Sequence, residues 1–280
     1  MIELKNIVKK YDEFVAVDHL DLTIESGEFF GLLGPNGAGK TTTIGMMSTL
    51  LLPTEGEICI NGDQLTRKNT ALKRKISVVT QEYSMRQDMT IDQIMEYQGR
   101  LYFMPVKQIR EKSEELLEFC GLLEYRKRTV RKLSGGMKRK LMVCRALLTD
   151  PEILLLDEPT AGMDALARRQ MWSLLKKLNQ KNLTILLTTH YMEEAENLCD
   201  RVGLMYGGKL EEIDTPSNMI AELGKYAVDL TTDSGLSSSY FHEKEDAIRF
   251  ISDTEQDAVL RSSTLEDVFL EKVGKHLERR

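Results

Sequence analysis

The residues best suited to chemistry lie between Gly34 and Thr42, where the sequence reads Gly-Pro-Asn-Gly-Ala-Gly-Lys-Thr-Thr. Glycines at these spacings let the backbone turn tightly, so that successive N–H groups can point at phosphate oxygens. Lys40 adds a positive charge for the β- and γ-phosphates, and the Thr41 hydroxyl is a suitable Mg²⁺ ligand. An apolar run, Phe29–Leu33, precedes the loop and a helical pattern follows it, which is the arrangement that holds an anion at a helix N-terminus. The predicted phosphate-binding residues are Gly34, Pro35, Asn36, Gly37, Ala38, Gly39, Lys40, Thr41 and Thr42.

Polar side chains also stand where three further predicted strands end. Asp157 and Glu158 close the apolar run that starts at Ile153, and apolar residues on both faces indicate a central parallel strand. Asp157 is predicted to hold Mg²⁺, and Glu158 to polarise the water that attacks the γ-phosphate; a general base is worth about 10²–10⁴-fold. His190 ends a second central strand, and Gln81 follows a β-branched strand. Because such ends meet at one edge of the sheet, we expect His190 to contact the γ-phosphate and orient Glu158, and Gln81 to reach the metal and the water.

Composition limits the class of protein. A chain of 280 residues can bury one large core, or one core and a small appendage. A net charge of −6 gives no reason to expect nucleic-acid binding. Residues 221–280 hold 13 acidic and 8 basic side chains, whereas the preceding residues are nearly balanced, so the tail is predicted to be a separate unit.

Cysteine spacing and hydropathy indicate the compartment. The four cysteines are far apart and form no C-x-x-C pair, which predicts reduced thiols in a cytosolic protein rather than a disulfide framework or zinc site. The start, Met1–Lys5, has no signal-peptide apolar region, and no run approaches the roughly 18 apolar residues of a membrane span. A membrane role is therefore expected to need a partner chain.

Hydrophobic periodicity divides the chain into an α/β frame with a helical insert. Residues 1–30 are predicted to form antiparallel strands, with 15–17 and 20–24 as separate strands. Residues 86–133 are predicted to be helical, beginning with a capping box at Thr90 and interrupted at Pro105. A new helix opens after Leu133 and carries three cations in its first turn, Lys138, Arg139 and Lys140. Those cations indicate either a solvated basic face or an anion bound at the helix start.

The last part of the chain has the pattern of a small α+β unit. Alternating residues at 226–230 predict a strand, and Ser234–Ser239 is predicted to be a loop. A helix at 247–251, a strand at 258–260 and a final helix from Ser263 follow, with Lys275–Arg280 expected to fray.

Leu133-Ser134-Gly135-Gly136-Met137, ahead of the run that ends at Glu158, closely resembles the signature of ATP-binding cassette (ABC) ATPases. The order of the motifs over residues 1 to about 217 matches that family, and the matching positions are Tyr11, the phosphate loop, Gln81, the signature, Asp157, Glu158, Asp164 and His190. The resemblance implies an α/β P-loop NTPase of ABC type, with a mixed sheet core, an antiparallel β subdomain and a helical insert. It implies an ATPase domain over 1–220 and a small C-terminal α+β domain over 221–280.

The same resemblance implies that two such domains pair head to tail, as a homodimer or with a different ATPase chain. Ser134, Gly135 and Gly136 are then expected to bind the γ-phosphate of the partner's ATP, and Tyr11 to stack on adenine. Asp164 is expected at the dimer interface. The implied cofactors are ATP and Mg²⁺, and the implied metal ligands are Thr41, Gln81 and Asp157.

Some positions depart from the family pattern. Met137 stands where the family often has Gln, and a thioether cannot replace an amide's hydrogen bonds. Ala161 and Met163 stand where Ser and Leu are usual. The signature variant, the acidic tail and the closing segment Thr264–Leu270 together resemble ATPases of the ABC-2 export type.

This resemblance implies an ATPase subunit on the cytoplasmic face of a membrane, attached through a separate transmembrane permease subunit that it powers by ATP-driven dimerisation. The alternatives are a nutrient-import ATPase, a cassette ATPase acting on ribosomes or DNA, and a non-hydrolysing regulatory module. The closing segment argues against the importer. The single cassette without a heptad run or basic tail argues against the ribosome or DNA function, and intact Lys40, Glu158 and His190 argue against a non-hydrolysing module.

Overall fold

A computed structural model describes residues 1–232, 235–254 and 256–277, which form three β-sheets and the helices around them. The strands are β1 Ile2–Tyr11, β2 Phe14–Ile24, β3 Phe29–Leu33, β4 Glu55–Ile60, β5 Asp63–Gln64, β6 Ile76–Val79, β7 Ile153–Asp157, β8 Thr184–Thr189, β9 Arg201–Tyr206, β10 Lys209–Asp214, β11 Tyr226–Thr232, β12 Gly235–Phe241 and β13 Ala258–Ser262. The helices are α1 Lys40–Met47, α2 Thr70–Arg74, α3 Ile91–Leu101, α4 Val106–Phe119, α5 Gly135–Leu147, α6 Ala165–Asn179, α7 Met192–Leu198, α8 Pro216–Leu223, α9 Lys244–Ser252 and α10 Leu265–Leu277. Short 3₁₀ turns occur at Leu123–Tyr125 and Val130–Lys132.

The six-stranded sheet has the order β10-β9-β3-β8-β7-β6. Its pairs from β6 to β9 are parallel, and β10 joins the edge as the antiparallel arm of a hairpin with β9. The predicted mixed sheet is thus confirmed. Because β3, β6, β7 and β8 run in the same direction, the residues that follow them lie along one edge, and this edge carries the candidate site.

The two apolar faces of this sheet belong to different cores. Along β7, whose five residues are all buried, Leu154 and Leu156 pack with the helices α3 to α6. Ile153 and Leu155 point the opposite way and pack with β1, β2 and α1. This two-residue alternation explains why the run from Ile153 has no polar face: neither side of the strand meets water.

The antiparallel sheet has the order β2-β1-β4-β5 and confirms the predicted β-rich start. The expectation of separate strands at 15–17 and 20–24 was wrong, because Phe14–Ile24 is one strand. Pairing with β1 continues past the polar pair Asp18-His19. The register shifts where His19 has a positive φ. Polar residues in the middle of a strand were mistaken for a break.

The helical insert packs α3 and α4 against α5. At the start of α3, Thr90 Oγ1 accepts from the Gln93 N–H at 3.2 Å and Gln93 Oε1 accepts from the Thr90 N–H at 2.8 Å, so the predicted capping box is confirmed. Pro105 lies between α3 and α4 as expected. Within the described residues, no helix is both long enough and apolar enough to cross a bilayer.

The C-terminal sheet has the order β12-β11-β13. The expectation of a loop at Ser234–Ser239 was wrong, because β12 spans 235–241 and pairs with β11; Ser234 itself lies outside the described residues. Ser238 stabilises the strand by donating its hydroxyl to Asp229 Oδ1 at 2.7 Å, a partner that is remote in sequence. Of the segment expected to fray, 275–277 belong to α10 and 278–280 lie outside the described residues. The domain limits at 86–133 and 220 remain predictions.

Candidate active site

An open cleft of about 490 Å³ lies at the carboxyl edge of the six-stranded sheet. The phosphate loop after β3, Gln81 after β6, Glu158 after β7 and His190 after β8 all reach it. The lining residues are Tyr11, Phe14, Ala16, Asn36, Gly37, Ala38, Gly39, Lys40, Thr41, Thr42, Gln81, Glu158, Ala161 and His190. The structure therefore brings together most of the side chains that the sequence predicted to act on one nucleotide.

The phosphate loop has a conformation that only glycine tolerates at its tightest point. Gly39 has a φ of +106° and caps the N-terminus of α1. A Cβ on Gly39 would lie 2.5 Å from the carbonyl oxygen of Ala16, so the backbone approach excludes any side chain there. Lys40 Nζ donates to the carbonyl oxygens of Gly34 at 2.8 Å and Pro35 at 3.0 Å. These two bonds hold the start of the loop in place.

Asp157 is held by two hydroxyl groups at the end of β7. Thr188 Oγ1, on the neighbouring strand β8, donates to Asp157 Oδ1 at 2.6 Å. Thr41 Oγ1 donates to the same oxygen at 3.1 Å. Asp157 is buried, so these bonds compensate the carboxylate for lost water and fix its rotamer. The hydroxyl and carboxylate predicted to share a metal are thus adjacent.

Glu158 is the centre of the cleft's polar contacts. Its Oε1 lies 3.0 Å from His190 Nδ1 and 3.9 Å from Lys40 Nζ, and its Oε2 accepts from Gln81 Nε2 at 3.4 Å. The backbone of Glu158 has a φ of +45°, and its N–H donates to the Thr188 carbonyl oxygen at 3.0 Å. A non-glycine residue in this region is strained by roughly 1–3 kcal/mol, a cost typical of functional sites.

The electrostatics of the cleft depend on a buried lysine. Burial lowers the pKa of Lys40, and the nearby charges of Glu158 and Asp157 oppose that effect. Lys40 is almost fully buried, so its ammonium lacks full hydration and is best compensated by anions. The site is therefore suited to binding phosphate oxygens.

Aromatic residues form the outer wall of the cleft. Tyr11 is 43% exposed and Phe14 is 62% exposed, on the turn between β1 and β2. Exposed aromatic faces can stack on a nucleobase. Lys9 Nζ lies 5.1 Å from the centroid of the Tyr11 ring. The sequence interpretation named Tyr11 but missed Phe14, although an aromatic residue three positions away in the same turn was a usable signal.

The signature residues do not line this cleft. Ser134 Oγ accepts from the Met137 N–H at 3.2 Å and so caps α5, while Ser134 and Gly135 are exposed. Asp164 caps α6 by accepting from the Ala167 N–H at 2.8 Å. The Met137 side chain packs against the core of the helical face, which accounts for an apolar residue at this position.

The basic first turn of α5, for which the sequence left both a solvated face and a bound anion open, is only partly solvated. Arg139 is 2% exposed and donates to the carbonyl oxygens of Thr80 at 2.6 Å and Gln81 at 2.9 Å. Lys140 reaches Gln170 on α6 instead. The Arg139 contact could not be predicted from the sequence, because two basic neighbours are typical of an exposed turn.

Comparison with known proteins agrees with the motifs. The family model described as "ABC transporter" matches residues 17–161. The chain belongs to the ABC transporter family. The linearmycin resistance ATP-binding protein LnrL of Bacillus subtilis (strain 168) is 36% identical over 240 residues, covering 86% of this chain and 77% of LnrL. The Nod factor export ATP-binding protein I of Cupriavidus metallidurans is 39% identical over 234 residues, covering 83% of this chain and 77% of that protein.

A solved ABC cassette has the same fold. The dimeric post-hydrolysis structure of the ATP-binding cassette MJ0796, bound to ADP and Pi, superposes with a TM-score of 0.69 at 29% identity. The match covers 77% of this chain and 98% of the cassette. This chain is therefore an α/β ABC cassette.

Proposed function

We propose that this ABC protein binds and hydrolyses ATP with Mg²⁺ and thereby powers export by a separate membrane-spanning subunit. The observation that carries the proposal is the environment of Glu158, whose carboxylate contacts Lys40, Gln81 and His190 at the mouth of the phosphate loop. A carboxylate in that place can accept a proton from a water that Gln81 helps to position. His190 orients the carboxylate and is placed to contact the γ-phosphate.

The donor set at the cleft suits Mg²⁺. Thr41 offers a hydroxyl and Asp157 a carboxylate, 3.1 Å apart, and Gln81 is a third candidate oxygen donor. Hard oxygen ligands of this kind, completed by phosphate oxygens, are what Mg²⁺ prefers. The ion would neutralise charge on the phosphates. Lys40 and the backbone N–H groups of the loop would hold the phosphates in place during hydrolysis.

A second cassette is needed to complete the site. Ser134 caps α5, whose first residues are Gly135 and Gly136, and all three are at least partly exposed and lie outside the cleft. A helix N-terminus binds anions, and Lys138 and Lys140 add positive charge next to it. We therefore expect these residues to close over the nucleotide of another chain, as a homodimer or a heterodimer, with Asp164 at the interface. The dimeric relative with bound ADP and Pi supports this arrangement.

The helical insert offers a surface for the membrane subunit. The end of α3 and the start of α4 expose apolar side chains at Tyr97, Leu101, Tyr102, Phe103 and Val106, and Phe103 is 88% exposed. Exposed apolar side chains in such a group mark an interaction site. The helices that carry this group pack against α5, and Arg145 of α5 donates to the Ser84 carbonyl oxygen at 2.9 Å. A membrane subunit bound here could act on the segment after Gln81 through α5 and would keep the ATPase at the cytoplasmic face.

The names of the relatives favour export, since one is a resistance protein and the other an export protein. The test uses Glu158→Gln, with Glu193→Gln as the matched control, because Glu193 is an exposed residue of α7 that lies outside the cleft. We expect the Glu158 variant to lose at least about 10²-fold in ATP turnover and to form a stable dimer with ATP. The control should hydrolyse ATP as the wild type does. Size-exclusion chromatography with light scattering and a phosphate-release assay measure both outcomes.

Wild-type turnover in Glu158→Gln would refute the proposed role of Glu158. Affinity purification of the tagged chain addresses the partner. A polytopic membrane protein should co-purify with wild type and be lost when Phe103 is replaced by Asp. Recovery of ribosomes or DNA in its place would favour the alternative function and refute export.

A further inference from the structure

The bulkiest fully buried side chain among the described residues is a cation, Arg139 on α5. It forms no ion pair with a carboxylate in the ranges that the structure describes, and its buried Nε has no hydrogen-bond partner there. Burial lowers the pKa of Arg139, which shows that the charge is held at an energetic cost. A methionine or leucine could fill the same volume without that cost, so core packing does not explain an arginine.

What the arginine contributes is a fixed position for the segment after β6. Its two terminal nitrogens donate to consecutive carbonyl oxygens, those of Thr80 at 2.6 Å and Gln81 at 2.9 Å. The planar guanidinium presents its donors in a rigid fork, so paired bonds fix both the distance and the orientation of the backbone. The Gln81 side chain is exposed, and the Arg139 bonds hold its backbone where the amide reaches Glu158.

Two more contacts attach the same segment to the same helix. Tyr83 Oη donates to the Gly135 carbonyl oxygen at 3.2 Å, within the signature itself. The Tyr83 ring also lies 5.2 Å from the Arg139 guanidinium carbon, within the range of a cation–π contact. Arg145, further along α5, donates to the carbonyl oxygen and hydroxyl of Ser84 at 2.9 and 3.0 Å. Residues 80–84, here called the Gln81 segment, are thus bound along much of α5.

This geometry joins two sites that act on different nucleotides. The N-terminus of α5 carries Ser134 and Gly135, which the proposed function assigns to the ATP of a second chain. The Gln81 segment carries the amide that contacts Glu158 in the chain's own cleft. Because both are attached to α5, a displacement of that helix moves the Gln81 amide relative to Glu158.

We propose that Arg139 is a positioning residue that fixes the Gln81 amide to the signature helix, so that nucleotide bound at Ser134–Gly136 sets the hydrolytic geometry of the chain's own cleft. This inference rests on the proposed ATPase function. Arg139 contacts neither nucleotide, and acts through Gln81. Its effect should therefore appear in turnover and in the cooperativity between the two sites, with little change in ATP affinity.

A double-mutant cycle between Arg139→Met and Gln81→Ala tests the coupling. In wild type we expect Arg139→Met to lower kcat about tenfold and to change the KM for ATP by less than about twofold, because the lost bonds do not touch the nucleotide. In the Gln81→Ala background the same substitution should have no further effect on kcat. Arg139→Lys, which keeps one point-charge donor, should fall between the two. Equal, additive losses in both backgrounds would overturn the inference.

Exposed-surface variants keep the test valid if Arg139→Met folds poorly. Tyr83→Phe removes only the hydroxyl bond to Gly135 and should lower the Hill coefficient for ATP without lowering the unfolding temperature. Arg249→Met removes an exposed charge of α9, whose partner is Asp246, and should leave the Hill coefficient unchanged. An unchanged Hill coefficient in Tyr83→Phe would contradict the coupling. Absence of hydrolysis in wild type would instead refute the proposed function.

Discussion

Thr188 is the residue whose replacement most directly tests how Asp157 is held. In Thr188→Val the side chain keeps its shape but loses the 2.6 Å bond to Asp157 Oδ1, which leaves the Thr41 hydroxyl as the remaining side-chain donor to that oxygen among the described residues. A hydrogen bond to a charged group is worth about 1.5–3 kcal/mol, and here the acceptor is buried. We therefore expect the free energy of unfolding to fall by about 2 kcal/mol, or roughly 4–8 °C in the unfolding temperature.

Thr184→Val is the matched control, because Thr184 lies on the same strand and is also buried. Its hydroxyl accepts from the uncharged Gly27 N–H at 2.9 Å, so its loss should cost only about 0.5–1.5 kcal/mol. Thr188 Oγ1 also accepts from the Glu158 N–H at 3.2 Å, but that N–H keeps the Thr188 carbonyl oxygen as an acceptor at 3.0 Å, so the larger loss in Thr188→Val reports mainly on the charged acceptor. Scanning calorimetry without nucleotide measures both.

The same pair of variants also tests the metal site. Loss of a residue that orients a metal ligand typically lowers metal affinity about 10–100-fold. Thr188→Val should therefore raise the Mg²⁺ concentration for half-maximal ATP hydrolysis by about tenfold or more. Thr184→Val should leave it unchanged. An unaltered Mg²⁺ requirement in Thr188→Val would refute the argument that this hydroxyl fixes a metal-binding carboxylate.

The remaining predictions concern the C-terminal network and the phosphate loop. Arg261→Gln should lower the free energy of unfolding by about 2 kcal/mol in chemical denaturation. The cause is that Asp267, which is 4% exposed, loses its cationic partner. Because Arg261 is partly exposed, the loss should be smaller than for a fully buried pair. Burial raises the pKa of Asp267, but the hydrogen bonds from Arg261 and Thr264 outweigh burial and hold that pKa below its usual range. The stabilisation is therefore present above about pH 4 and is lost as the pH falls. The free energy of unfolding of Arg261→Gln should lack this acid dependence. Parallel pH profiles of the two proteins would contradict the argument. Gly39→Ala should abolish binding of a fluorescent ATP analogue, because its Cβ would lie 2.5 Å from the Ala16 carbonyl oxygen, and wild-type affinity would contradict that clash.

Most of the cleft could be predicted from the sequence because parallel strands gather their carboxyl ends at one edge. Asp157 and Glu158 follow a fully apolar run, and His190 follows a run of leucine, isoleucine and threonine; runs of these kinds have few alternatives to a central strand. The position of Gln81 at the same edge follows from the predicted strand that precedes it. Their convergence therefore follows from topology, whichever residues lie in between.

Thr188 could not be predicted, because β8 contains three threonines and the sequence does not show which of them faces the neighbouring carboxylate. That depends on the register of β8 with β7, where Thr188 pairs with Asp157. The serine-rich strand β12 was mistaken for a loop for a related reason. The acceptor of the Ser238 hydroxyl, Asp229, lies on another strand, and composition alone favours a turn.

The C-terminal unit is tied to the helix that follows His190. Leu265 and Val268 of α10 are buried in one cluster with Met192 and Ala195 of α7. The Leu265 N–H also donates to Glu196 Oε2 at 3.1 Å. Asp267 accepts from the Thr264 N–H at the start of α10, so the network around Arg261 sets where α10 begins.

This packing gives a physical reason for the closing segment Thr264–Leu270 that the sequence could only match to an export-type pattern. Leu265 and Val268 pack against α7, and Asp267 anchors the segment to β11 and β13 through Arg261. The charge imbalance that predicts a separate unit at 221–280 reports on surface and not on burial. Because the buried cluster draws residues from both sides of residue 220, the orientation of α7, and with it the backbone after His190, depends on the C-terminal unit.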